Sequence, residues 1–170
     1  LHAELSKATY LVYKPVGFTS SSKDFYAEKL VTELIPETKA RLYPVGRLDK
    51  NSEGLMILTN DGDLAYQTTH PKFKLPKVYE VKIIPNFRES DRNTLEEGIV
   101  DLGEELKLDK LEVLTPNLLQ ITLHHGKKRH IRRMLAHCHY HVTRLIRTKI
   151  GPFSLADLEG KSYRKLSEEE

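Results

Sequence analysis

Residues Leu111 to Leu123 read LEVLTPNLLQITL. Two apolar, β-prone runs flank Pro116-Asn117. Proline presets φ and removes a ladder donor, and asparagine accepts turn conformations, so the stretch predicts a β-hairpin over Leu111–Thr115 and Leu118–Leu123. Upstream, Lys77–Ile84 (KVYEVKII) alternates like a strand, with Lys77, Tyr79, Val81 and Ile83 on one face. Gly54–Thr59 (GLMILT) is a continuous apolar run, which suits a strand buried on both faces. Tyr10–Tyr13 is a further β-prone run, stopped by Lys14-Pro15-Val16-Gly17.

Helical signals are fewer. Ser20-Ser21-Ser22 offers N-cap hydroxyls to a helix from about Lys23 to Leu34, with Phe25, Leu30, Val31 and Leu34 as an apolar stripe and Pro36 as its stop. Asp61 or Asp63 is placed to cap a short helix through Tyr66, and Ser90 one reaching to about Gly98. Arg129 to about His137 reads as a helix with Ile131, Met134 and Leu135 inward, and the chain from Ile150 on reads as irregular. Strands outnumber helices and short turns join several of them. The expected fold class is therefore α+β: a mixed, mostly antiparallel sheet with flanking helices. The chain of 170 residues is long enough for one well-buried core, so 1–170 is expected to form a single domain.

Hydrophobic residues make up 39% of the chain and charged residues 30%, as in ordinary globular proteins. No apolar run approaches the roughly 20 residues that span a bilayer, so no membrane partner is expected. The first residues, LHAELSKATY, lack the zones of a signal peptide. One cysteine, Cys138, excludes an intrachain disulfide and fits a reducing, cytoplasmic compartment. Net charge is a modest +3, but its distribution is uneven. Between Lys127 and Lys149 lie eight lysines and arginines and no acid, whereas acids gather in Glu89–Glu112 and Glu168-Glu169-Glu170. A basic segment left unneutralised by its neighbours makes a local positive field and points to an anionic partner.

Several chemistries are poorly served. His124, His125, His130, His137, Cys138, His139 and His141 crowd one region, but their spacing does not align a zinc-ligand set, and neither HExxH nor a second cysteine is present. GxSxG, the P-loop and GxGxxG are all missing, so neither a serine hydrolase nor a nucleotide cofactor is indicated. What remains is Asp49, in PVGRLDKNSEGL (44–55), together with Tyr79 and the basic stretch GKKRHIRRM (126–134). From its surroundings alone, Asp49 could be a cap, an ion-pair partner, a metal ligand or a catalytic group.

Taken in order, GRLDKNSEGLMILTNDGDLA, KVYEVK, GKKRHIRRM and RTKIGPF…LEGKSYRKLSEEE resemble the pseudouridine synthases, and within them the RsuA-type branch that acts on ribosomal RNA. The likeness runs from about Tyr10 to the C-terminus. It implies the fold of that family, with an active-site cleft across the sheet, and isomerisation of a uridine in RNA without any cofactor. Its implied partner is ribosomal RNA, by analogy the large-subunit 23S rRNA, or a pre-ribosomal particle. A cytoplasmic monomer is expected. The resemblance makes Asp49 the catalytic aspartate, Tyr79 the aromatic residue that packs on the target base and is the candidate to take the C5 proton, and Arg132 the arginine that pairs with the aspartate. Arg47 matches the residue that helps hold the base out of the RNA stack. Lys77 is an electrostatic contributor, Lys127, Lys128, Arg129 and Arg133 would grip phosphates, and Lys14-Pro15-Val16-Gly17 matches a motif of mainly structural role.

These assignments suit the chemistry. Isomerisation breaks the glycosidic bond, turns the uracil and rejoins it through C5, which calls for an anionic group near C1′ and C2′ of the ribose. Aspartate can attack C1′ or remove the C2′ proton, and the sequence leaves both routes open. An acid pressed against a base loses water, which raises its pKa, and a cation such as Arg132 offsets this. Unstacking the base costs a few kcal/mol, part of which stacking on Tyr79 can return. Two departures from the family pattern stand out. His130 replaces the usual glutamine before the Ile131-Arg132 pair, which bears on hydrogen bonding around Arg132, and the chain is expected to carry no N-terminal S4-type domain. A non-catalytic RNA-binding module of the same fold is the rival reading, and a zinc hydrolase built on the histidines a third.

Overall fold

The computed structural model describes residues 7–20, 30–35, 41–73, 75–124 and 126–167. The chain gathers into two compact units, one of Leu1–Leu75 with Lys149–Glu170 and the other of Pro76–Thr148.

In the first unit, β1 (Thr9–Lys14) pairs antiparallel with β3 (Glu53–Thr59), opposing Leu11 to Ile57 and Tyr13 to Leu55. The short strand β2 (Tyr43–Val45) also pairs with β3. As the apolar run predicts, β3 is covered on both faces, and Leu55, Met56, Ile57 and Leu58 are all at most 1% exposed. Each such side chain contributes about 1.5–3 kcal/mol of transfer free energy. Leu11, Val45, Leu55 and Ile57 form one core with Ile150, Leu158 and Leu166 from the end of the chain. That end is more regular than the sequence suggests: β10 (Phe153–Ser154) and β11 (Tyr163–Lys165) flank a 3-10 turn at Leu155–Leu158, and β11 pairs with β1. Short strands with few residues carry too little alternation to be seen in advance.

Asp61 caps helix α1 (Gly62–Thr69), its carboxylate accepting from the amides of Asp63 and Leu64 at 3.0 and 3.3 Å. The helix continues past Tyr66 because no breaker intervenes before Pro71. The expected helix over Lys23–Leu34 falls largely outside the described residues, as does Pro36. Its end departs from expectation: Leu30 is extended, bridging to Thr19, and Val31–Leu34 form a single 3-10 turn.

The second unit is built on β4 (Lys77–Ile84), β7 (Lys110–Thr115), β8 (Leu118–Leu123) and most of β9 (His141–Ile150), in the order β9-β4-β8-β7. β7 and β8 are the hairpin around Pro116-Asn117, with a bulge between Val113 and Thr115. β8 pairs antiparallel with β4, so that Tyr79 opposes Ile121 and Val81 opposes Leu119. β9 was hidden by its charges: Arg144, Arg147 and Lys149 interrupt the apolar pattern that the strand nevertheless buries at Val142, Leu145 and Ile150. A small separate hairpin joins β5 (Ile99–Asp101) and β6 (Glu104–Leu106). It follows helix α2 (Arg92–Glu97), preceded by a 3-10 turn at Glu89–Asp91, so the N-cap falls at Asp91 rather than Ser90. Gly98 ends α2 at φ +96°, where a side chain would meet Lys107 Cγ at 2.7 Å and the Leu106 carbonyl at 2.9 Å. Helix α3 (His130–His137) buries Ile131, Met134 and Leu135 as its spacing predicts.

Candidate active site

Asp49 lies in the first unit, in the loop between β2 and β3. Gly46 opens this loop at φ +76°, a left-handed conformation that glycine adopts without penalty. Leu48 is buried, and the Ser20 hydroxyl fixes its backbone twice, donating to the Leu48 carbonyl at 2.6 Å and accepting from its amide at 3.0 Å. The Asp49 carbonyl accepts from the Ser52 amide at 2.9 Å, closing a turn over Lys50 and Asn51. This leaves Asp49 half-buried and Arg47 exposed.

The turn is held from beneath by Lys14-Pro15-Val16-Gly17. Lys14 is fully buried, and its ammonium donates to the carbonyls of Ser52 at 2.7 Å, Pro15 at 3.0 Å and Lys50 at 3.4 Å. The Gly17 amide adds a second bond to the Lys50 carbonyl, at 2.8 Å. An ammonium has three donors and tolerates burial when carbonyl dipoles surround it. The motif therefore shapes the loop that presents Asp49.

In the second unit, Lys77 and Tyr79 project from the same face of β4. Tyr79 is 7% exposed, and Lys77 is half-buried. Burial pushes the Lys77 amine below its ordinary range, and the charge of Arg147 pushes it the same way. Arg147, on β9, is itself 2% exposed, and the neighbouring Thr148 hydroxyl donates to the Val78 carbonyl at 3.2 Å. Arg147 is one of the eight cations of the basic segment between Lys127 and Lys149. No local signal marks it: Arg147 is buried by the sheet around β9, with Leu145 and Ile150 of the same strand also in the core.

Helix α3 carries Arg132 and Arg133, about 100° apart around the axis, so they serve different surroundings. Both are half-buried. Arg133 is committed to the β5–β6 hairpin: it donates to Asp101 Oδ2 at 2.7 Å, Glu104 Oε1 at 2.8 Å and the Asp101 carbonyl at 2.9 Å. In this structure the guanidinium thus staples the helix to the hairpin. Lys127, Lys128 and Arg129 are exposed ahead of the helix, with Lys127 donating to the Glu105 carbonyl at 2.7 Å.

His130 is buried at the start of α3. Its Nδ1 accepts from the Lys127 amide at 3.3 Å, which assigns the ring proton to Nε2, and Nε2–H donates to the Lys107 carbonyl at 2.8 Å. Burial lowers its pKa, with the charges of Lys127 and Arg133 acting in the same direction. His130 thus joins two loops as a neutral ring.

His124 pairs instead with Asp109, at 2.7 Å from Oδ2. His137, His139 and His141 are exposed, and His125 lies outside the described residues. Among the described residues no group of three or more His, Cys, Asp or Glu side chains is placed to hold a metal ion. The Cys138 thiol is buried and its pKa pushed up, the opposite of an activated nucleophile. No helix among the described residues is long and apolar enough to cross a membrane.

The family model for RNA pseudouridylate synthase matches residues 8–137. An RNA pseudouridine synthase of Aquifex aeolicus, named as uncharacterized, is 38% identical over 146 residues, 84% of this chain and 59% of the relative. Ribosomal large subunit pseudouridine synthase B of Bacillus subtilis is 35% identical over 169 residues, 95% of this chain and 68% of its own length. The chain thus spans somewhat under two thirds of the first relative and slightly more of the second. A crystal structure of a pseudouridylate synthase superposes with a TM-score of 0.86 at 30% identity, covering 96% of this chain and 72% of that one.

Proposed function

The chain belongs to the RNA pseudouridylate synthase family, and on that premise we propose that it isomerises a uridine of ribosomal RNA to pseudouridine. The name of the Bacillus relative favours large-subunit RNA as substrate, and work on such RNA is taken to be cytoplasmic. The observation that carries the reading is the clamped turn at Asp49, because a group that must meet one ribose carbon has to be held in place.

In this reading the target base leaves its stack, the C1′–N1 bond breaks, the uracil turns, and C5 bonds to C1′ while a proton moves from C5 and N1 ends protonated. Asp49 drives the first step, either by attacking C1′ or by removing the C2′ proton. Arg132 pairs with Asp49 and keeps it ionised against desolvation. Tyr79 packs on the uracil and takes the C5 proton, and Arg47 helps to hold the base out of the helix. Lys77 and Arg147, whose charges act on each other, supply positive potential near Tyr79. Lys127, Lys128 and Arg129 meet phosphates. No cofactor takes part.

The test incubates the protein with unmodified large- and small-subunit rRNA and with partly assembled ribosomal particles, then maps pseudouridine. The expected result is modification at defined uridines by the wild type and none by Asp49→Asn. Modification of no site on any of these substrates would refute the proposal and leave a non-catalytic RNA-binding module.

A further inference from the structure

The end of α1 carries three rings that the chemistry above leaves unused. Tyr66 and Phe73 expose 48% and 43% of their surface, and His70 is exposed as well. The Tyr66 and His70 ring centroids lie 4.6 Å apart, and Phe73 meets Tyr66 edge-on at 5.8 Å and 85°. The backbone builds this group. The His70 amide donates to the Tyr66 carbonyl at 2.8 Å, and the Phe73 amide donates back to the His70 carbonyl at 3.1 Å. The Lys72 amide donates to His70 Nδ1 at 3.2 Å, fixing the imidazole from the side. The Lys72 ammonium sits 5.1 Å from the Phe73 centroid and 5.6 Å from that of Tyr66, within cation–π range.

Aromatic rings that pack on one another usually do so to leave water. These are pre-ordered by their own backbone and still wet. Their position adds a second observation. A methyl group built on Gly46 would lie 3.7 Å from Thr69 Cγ2, so the end of α1 lies near the residue that opens the Asp49 loop.

We propose that Tyr66, His70 and Phe73, with Lys72, form a stacking shelf for an unpaired RNA base neighbouring the uridine on which Asp49 acts. The inference rests on the RNA-isomerase reading above. Half-exposed rings with an ammonium over two of them match a nucleotide, which offers a flat base and a phosphate one sugar apart. An apolar protein side chain would use the rings and leave the Lys72 charge unmatched.

The chain has no tryptophan, so Phe73→Trp places a single emitter on the shelf. The variant of this 170-residue chain is titrated with an end-labelled short oligoadenylate and with the same oligomer made abasic, following anisotropy for binding and tryptophan emission for stacking. The oligoadenylate is expected to quench the emission and the abasic oligomer to leave it unchanged. Adding Tyr66→Leu is expected to weaken binding about tenfold, the effect of losing one stacked base. No binding, binding without quenching, or equal quenching by the abasic oligomer overturns the shelf. The readout needs no isomerisation: a quenched protein that makes no pseudouridine refutes the activity and keeps the shelf, and an active protein that is not quenched refutes the shelf alone.

Discussion

The Lys14 ammonium donates to the Ser52 carbonyl across 2.7 Å, from a position with no solvent exposure. Its other two bonds reach the Pro15 and Lys50 carbonyls, so one charge ties the end of β1 to the chain on the far side of Asp49. A lysine that would be expensive to bury alone is here the centre of a loop, and removing its charge takes a donor from the Ser52 and Pro15 carbonyls, while that of Lys50 keeps the Gly17 amide.

Lys14→Met keeps the stem and removes the ammonium. Each stranded buried group costs about 1–3 kcal/mol, and relaxation of the loop recovers part of it, so a net loss of about 3 kcal/mol is expected. Urea unfolding measures this, and single-turnover isomerisation under folding conditions should fall with it as the Asp49 turn loosens. Unchanged stability would mean that the carbonyls find other donors.

Tyr79 opposes Ile121 in the sheet and is 7% exposed, so Tyr79→Phe is expected to fold normally and still pack against the base. If its hydroxyl takes the C5 proton, turnover falls about 100- to 10,000-fold while affinity for rRNA holds. Turnover within a few-fold of wild type would restrict Tyr79 to packing.

The strands that decide the fold were legible because their burial was regular: GLMILT is apolar throughout, KVYEVKII alternates, and Pro116-Asn117 marks its turn. β9 was not, since its arginines are accommodated by tertiary surroundings that a window of sequence does not contain. The same limit acted on the site. The motifs named Asp49, Tyr79 and Arg132, but local charge could not tell that Arg133 faces two carboxylates or that Arg147 is buried. Those facts depend on the β5–β6 hairpin and on strand neighbours far along the chain.

Arg129 and Arg133 should therefore part company in RNA binding. Arg129→Gln removes an exposed cation and is expected to lower the slope of log K against log salt by about 0.7–0.9. Arg133→Gln should leave that slope unchanged and instead speed limited proteolysis at the Leu102-Gly103 turn, which the guanidinium braces through Asp101 and Glu104. A salt slope reduced equally by both substitutions would return Arg133 to the phosphate contacts.

His130 gives the fold an acid-sensitive pin. Burial holds its pKa below the imidazole reference of 6.5, so the folded chain keeps the ring neutral while the unfolded chain takes up a proton. A depressed folded-state pKa means that the full contribution to stability is present above pH 6.5 and is lost as pH falls from there through the folded value. His130→Gln can keep both hydrogen bonds, with its amide donating to the Lys107 carbonyl and its oxygen accepting from the Lys127 amide, and it does not titrate. Urea unfolding from about pH 8 to about pH 5 should show the wild type losing stability faster than His130→Gln, the gap opening below the reference value. Parallel curves would mean that the ring charges in place, with Nδ1 giving up its bond to Lys127.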